Sequence, residues 1–190
     1  MDEAFVPYDI AQRGPQWNPA TIISDDELNA LFGQLPQQVL LEVYLDTCHS
    51  GSGLRGAEFS LNAPRARFIA PPVGELQGPV RQRAVRGFVL APATLPAKKG
   101  GRAGAAQAVA GAHHILWTGC KSNQTSADAY FDGRYNGAFT REYIRAVRAS
   151  QNTLSRQDIL KQVRAALKGK FSQVPQLETQ ATNRASAIVY

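Results

Sequence analysis

The sequence predicts an α/β protein built on a layered sheet, and three observations carry that prediction. Two short apolar runs, Val39 to Leu45 and His114 to Thr118, have the length and the β-branched and aromatic content of buried strands. Segments of helical periodicity flank them, and such alternation of strands and helices is what helices packed on a sheet require. The chain of 190 residues is long enough to bury one substantial core, and it shows no internal repeat.

Each element has a local reason. Ser24-Asp25-Asp26-Glu27 stands ahead of Leu28, Leu31, Phe32 and Leu35, so a capping serine opens a short amphipathic helix that Pro36 closes. The run Val39 to Leu45 follows, interrupted only by Glu42. Asp46-Thr47-Cys48-His49-Ser50-Gly51 then falls at that strand's C-terminal end, where open α/β sheets place their ligands. From residue 55 to 111 periodicity fades, and Pro64, Pro71, Pro72, Pro79, Pro92 and Pro96 with Gly100 and Gly101 read as a long surface connection. The second strand, His114 to Thr118, ends at Gly119-Cys120. A helix is expected from Gly137 to Ala149, with Phe139, Tyr143, Ile144 and Val147 on one side. Another is expected from Arg156 to Leu167, capped by Ser155 and carrying Ile159, Leu160, Val163 and Leu167. Ala187 to Tyr190 is expected as an edge strand.

Charge and composition exclude several classes. The net charge of +6 sits almost wholly in residues 61 to 107, which hold eight Lys/Arg and one Glu. Nucleic-acid binding by that stretch is not expected, because it is rich in Pro, Gly and Ala and its only aromatics are Phe68 and Phe88. No apolar run is long enough to span a bilayer, and Met1-Asp2-Glu3 lacks the basic and apolar regions of a signal peptide, so a cytoplasmic protein without membrane contact is expected. Two cysteines, Cys48 and Cys120, are too few for a secreted disulfide framework, and reduced thiols are expected.

Cys48 has the surroundings a nucleophile needs. It follows a buried strand and precedes Ser50, Gly51, Ser52 and Gly53, where glycines let a substrate backbone approach and main-chain N–H groups can face a developing oxyanion. The alternative for the cysteine taken alone is a small apolar residue at a strand end. A phosphatase loop is disfavoured, since six residues separate Cys48 from Arg55, one more than a phosphate-cradling cysteine–arginine loop holds.

Asp46-Thr47-Cys48-His49-Ser50-Gly51-Ser52 resembles the nucleophile motif of metacaspases, the D-x-C-H-S-G segment of the caspase-like cysteine peptidases. The resemblance extends to Asp2 to Asp9 and to Ile23 to Leu28. Downstream it takes in Gly119-Cys120, Gln124 to Ala129, Asn136 to Thr140 and Ser172 to Leu177. It therefore covers nearly the whole chain outside the connection at 55 to 111. The fold it implies is a caspase-like three-layer α/β/α sandwich with a mostly parallel sheet, missing its N-terminal strand and helix. The organisation it implies is a single domain over 1–190: a large-subunit-like part with the nucleophile over 1–54, the basic connection over 55–111 and a small-subunit-like part over 112–190.

The resemblance also implies roles. Cys48 is the nucleophile of an endopeptidase that cleaves polypeptides after Arg or Lys, and Asp46 and Asp128 match acidic positions that receive the cationic side chain, as carboxylates must. The structural alternatives are a strand-end turn for Asp46 and a solvated loop carboxylate for Asp128. The partner histidine of the family lies in a G-H-G segment ahead of the region matched here, and His49, His113 and His114 match no catalytic position. The chain alone is therefore expected to be inactive, with the histidine supplied by the preceding segment or by another chain; a catalytically dead pseudo-peptidase or split-enzyme subunit that binds protein is the alternative. Relatives activated by Ca²⁺ place three ligands where Asp9, Asp25 and Asp26 stand, but Arg55 occupies a usual fourth acidic position. Acids at 25 and 26 also complement a helix dipole without metal. Arg81, Arg83, Arg86, Lys98, Lys99 and Arg102 in the connection are candidate self-processing sites for such an enzyme.

Overall fold

The computed structural model describes residues 4–36, 38–47, 64–66, 72, 114–121 and 124–188. These fall into two compact units, one comprising 4–36, 38–39 and 72, the other 40–47, 64–66, 114–121 and 124–188. In the first unit, strand β1 (Ala4–Phe5) pairs antiparallel with β4 (Ile23–Ser24), and β2 (Gln12–Arg13) forms a hairpin with β3 (Gln16–Trp17). Gly14 takes φ +65° at the first position of the two-residue turn, the conformation a type II′ hairpin asks of glycine. Asn18 caps the 3-10 turn Pro19–Thr21 by accepting from Ala20 N, and α1 (Asp25–Phe32) follows β4 directly.

The second unit is built on a three-stranded sheet of order β10-β7-β5. Strand β5 (Leu41–Leu45) runs parallel to β7 (His114–Thr118), in a register that sets Leu41 opposite His114 and Leu45 opposite Thr118. Strand β10 (Gln176–Glu178) closes the other side of β7 antiparallel, with Leu177 opposite Trp117. Both expected strands are present. Two elements of the resembled sandwich that no periodicity announced are β10 and a second small sheet, β6 (Arg65–Ala66), β8 (Ala127–Phe131) and β9 (Arg134–Gly137), in the order β6-β8-β9. Asp132 and Gly133, with φ of 51° and 88°, make the tight β8–β9 turn.

Helices α2 (Ala138–Ala149) and α3 (Arg156–Leu167) lie where periodicity placed them, and a short α4 (Ala181–Ala185) follows β10. Ser155 caps α3 by accepting from Asp158 N. Phe139, Tyr143 and Ala146 of α2 join Ile159, Leu160, Val163 and Leu167 of α3 over Ile115, Trp117 and Leu177 of the sheet. Leu116, on the opposite face of β7, is only 1% exposed, so both faces of that strand are covered, as in a layered sandwich. The expected strand at Ala187 to Tyr190 reduces to a single bridge, Ser155 to Ala187; Val189 and Tyr190 lie outside the described residues.

The exception within the β5 run organises the core. Arg156 donates to both oxygens of Glu42, at 3.0 and 2.7 Å, while Trp117 Nε1 and Tyr44 OH each donate to Glu42 Oε1 at 2.8 Å. Because Tyr44 spends its hydrogen on Glu42, the 2.7 Å contact between Tyr44 and Tyr143 is donated by Tyr143. Burial pushes the Glu42 carboxyl up, but the hydrogen bonds from Arg156, Trp117 and Tyr44 outweigh it and hold the group below its ordinary value. Arg156 also donates to Ser186 Oγ and Ala187 O, each at 2.8 Å. One ion pair thus ties β5 to α3 and to the turn after α4.

Candidate active site

Parallel pairing brings the C-terminal ends of β5 and β7 to the same edge of the sheet. Gly119 N donates to Leu45 O at 2.8 Å, so the Gly119-Cys120 step lies directly beside Asp46 and Thr47. There Asp46 is held from two sides. Ser126 Oγ donates to Asp46 Oδ1 at 2.5 Å, while Thr140 donates to Oδ2 through its hydroxyl at 2.7 Å and through its amide at 3.1 Å.

These bonds explain two glycines. The N-cap of α2 is Gly137, which has no side chain to satisfy the helix's first amides, and Asp46 takes that role from a different strand. A methyl group on Gly119 would come within 2.6 Å of Ser126 Oγ and 2.8 Å of Asp46 Oδ1, so only glycine leaves room for the carboxylate–hydroxyl pair. Gln173 braces the same point: its Nε2 donates to Gly119 O at 2.9 Å and to Ser126 Oγ at 3.3 Å, and its Oε1 accepts from Ala127 N at 2.8 Å. The buried thiol of Cys120 donates to Gln124 O at 3.3 Å and reaches Thr47 O at 3.7 Å.

Asp128 stands two residues beyond Ser126, half-buried in β8. The ladder sets it opposite Arg65 of β6 and Gly137 of β9. Directly opposed residues project to one face of a sheet, so Asp128, Arg65, Tyr130 and Tyr135 share a face. The Arg65 guanidinium lies 3.9 Å from the centre of the Tyr135 ring, and Tyr130 meets Tyr135 edge to face at 5.3 Å. An acid and two aromatic rings on one face form a surface suited to a planar cation.

Cys48 and His49 lie outside the described residues, as do His113, Arg55 and the six candidate self-processing positions. His114 is half-buried on β7, and burial pushes its imidazole below the ordinary value. Asp9 is exposed in a turn of the first unit; Asp25 and Asp26 begin α1, and their side chains lie outside the described residues. The residues that hold Asp46 escaped sequence reasoning as individuals, although every one of them lies within a stretch that carried the resemblance.

Those stretches converge on one polar network, and comparison with known proteins names what they belong to. The caspase-domain family matches residues 1–186. The chain belongs to the caspase-domain peptidase family. It is 29% identical to Metacaspase-1 of Cryptococcus neoformans over 93% of its length and 40% of that protein. Against Metacaspase-1 of Mycosarcoma maydis the identity is 32%, over 94% of this chain and 45% of the relative. The chain thus spans less than half the length of these relatives. A crystal structure of a Geobacter sulfurreducens protein is similar over 95% of this chain and 65% of its own, with 18% identity and a TM-score of 0.49. Among the described residues no helix is long and apolar enough to cross a membrane.

Proposed function

We propose that this chain is the nucleophile-bearing part of a metacaspase-type cysteine endopeptidase that cleaves polypeptides after Arg or Lys. The observation that carries the reading is the face shared by Asp128 and Tyr135, where the chain's own Arg65 already rests its guanidinium on the ring. In the reaction, the thiolate of Cys48 attacks the carbonyl carbon after the basic residue, the amine departs with a proton from a histidine, and water then hydrolyses the thioester and restores the thiol. Asp46 and Asp128 supply the negative charge that receives the basic side chain.

The histidine comes from the segment that precedes this region in the family or from another chain. In support, β5 pairs only with β7 among the described residues, leaving its second edge for a further strand. On this reading the chain alone is inactive and acts in the cytoplasm. Calcium binding at Asp9, Asp25 and Asp26 is the less favoured part of this reading, because Arg55 stands where relatives place a fourth acidic ligand and would repel the ion. Self-processing falls within the connection at 81–102.

A direct test is labelling of Cys48 by peptidyl chloromethyl ketones, located by mass spectrometry. An arginine reagent should label Cys48 faster than its aspartate counterpart, and Asp128→Ala should remove the preference. Equal rates with the two reagents would refute a cationic pocket. Robust Cys48-dependent turnover of Arg or Lys peptides by the pure chain would instead refute the need for a supplied histidine. The β5 edge that pairs with no strand among the described residues also favours a second reading, a pseudo-peptidase that binds protein through that edge; it predicts the same inactivity with no arginine preference.

A further inference from the structure

We infer that Ser126 and Thr140 are positioning residues of this peptidase site, which set the direction of the Asp46 carboxylate. The inference rests on the reading above for the identity of the nucleophile. Its evidence is separate, since it comes from the bonds around Asp46 alone.

The three donors fix different degrees of freedom. The Thr140 amide belongs to the first turn of α2, so the bond to Oδ2 ties the carboxylate to the helix backbone rather than to a mobile side chain. The Thr140 hydroxyl reaches the same oxygen, and Ser126 takes the other oxygen. Three charge-assisted bonds from two sides leave the carboxylate plane a single orientation. Ser126 is fully buried, and Gln173 and the absent side chain at Gly119 hold it in place.

The pocket acid is thereby oriented before any substrate arrives. A group that must accept a guanidinium gains when its direction costs nothing at the moment of binding. The same bonds cap α2, so docking of that helix and aiming of the acid are one event.

The test compares Thr140→Val, Ser126→Ala and the conservative Thr140→Ser in the full chain, following Cys48 by mass spectrometry. The readout is the labelling rate of Cys48 by an arginyl chloromethyl ketone divided by its rate with neutral iodoacetamide. A merely structural loss would slow or speed both reagents together. Thr140→Val and Ser126→Ala are expected to lower the ratio about fivefold, the rate equivalent of one lost hydrogen bond, while Thr140→Ser keeps it. Unchanged ratios in Thr140→Val and Ser126→Ala would overturn the inference. So would a Thr140→Ser ratio as low as that of Thr140→Val. If the unsubstituted chain shows no preference for the arginyl reagent, the cationic-pocket reading fails by itself. A crystal structure of Thr140→Val then decides: an Asp46 carboxylate turned from its direction in the parent supports the positioning role, and an unmoved carboxylate overturns it.

Discussion

Replacing Glu42 with alanine tests the centre of the second unit. The substitution removes the acceptor of four hydrogen bonds, two from Arg156 and one each from Trp117 and Tyr44. It also strands a guanidinium whose side chain is only 3% exposed. Breaking one partner out of a buried pair costs about 3–5 kcal/mol. The lower end applies here, because Glu42 keeps 16% exposure and Arg156 Nη1 retains Ser186 and Ala187 as acceptors. A loss of about 3 kcal/mol is a large share of the roughly 5–15 kcal/mol that holds a domain together. It corresponds to a melting temperature lower by about 6–12 °C in a chain of this size.

Urea unfolding followed by tryptophan fluorescence, with Trp117 fully buried against the substituted site, measures it. The pH dependence gives a second check. Hydrogen bonding holds the folded carboxyl below its ordinary value of 4.5, so the contribution of Glu42 is fully present above that value and is lost as pH falls through the depressed one. The gap between the two proteins should therefore close in acid. A loss under about 1 kcal/mol, or a gap unchanged from neutral pH to pH 3, would refute the assignment of the ion pair as the organiser of this core. Replacing Glu42 with Leu together with Arg156 with Met should recover most of the loss, since no charge is then left buried.

Gly119→Ala should cost about 1–3 kcal/mol by thermal melting, because the added methyl meets Ser126 Oγ and Asp46 Oδ1 well inside contact distance; it should also depress arginyl labelling of Cys48. Gly133→Ala should lower stability by about 1 kcal/mol, since the residue takes φ +88° in the β8–β9 turn. Glu178→Gln should act with the opposite sign. Burial without a partner among the described residues pushes the Glu178 carboxyl above its ordinary value of 4.5, so the folded chain carries a penalty that is absent in acid and grows as pH rises through the raised value. The variant should melt higher than the parent at pH 8 and with it at pH 4.

The strands β5 and β7 and the helices α2 and α3 were legible because each carries a local pattern: a short, mostly apolar run, or an apolar stripe at helical spacing, which in α3 follows the capping Ser155. The elements that escaped have no such length. Strand β10 is three residues beside Pro175, and its strand character comes from pairing with Trp117 rather than from its own composition. The β8–β9 hairpin turns on Asp132-Gly133, a strong turn dipeptide that the sequence reading passed over. Its short alternation of Ala, Asp and Tyr gave no strand signal beside it.

Glu42 was visible as an interruption of an apolar run but not as a centre. A carboxylate in a buried strand implies a cation somewhere, and Arg156 was itself a clue, since a positive charge in a helix's first turn opposes the helix dipole and needs another reason to be there. Asp46 and Asp128 came from motif resemblance. Their partners did not, because the hydroxyls that hold Asp46 lie 80 and 94 residues along the chain. No local pattern encodes that distance; only the parallel pairing of β5 with β7 abolishes it.

That pairing, which sets Leu41 beside His114, has a consequence for how the chain changes over time. A parallel pair must be joined by a crossover, and the entropy of closing a flexible loop rises only with the logarithm of its length, about 0.6 kcal/mol for each doubling. By that rule a change of length between Ala66 and His114, which leaves Asp46, Cys48 and the pairing of β6 with β8 untouched, alters the energy of closure little. A single methyl at Gly119 costs more than doubling that stretch.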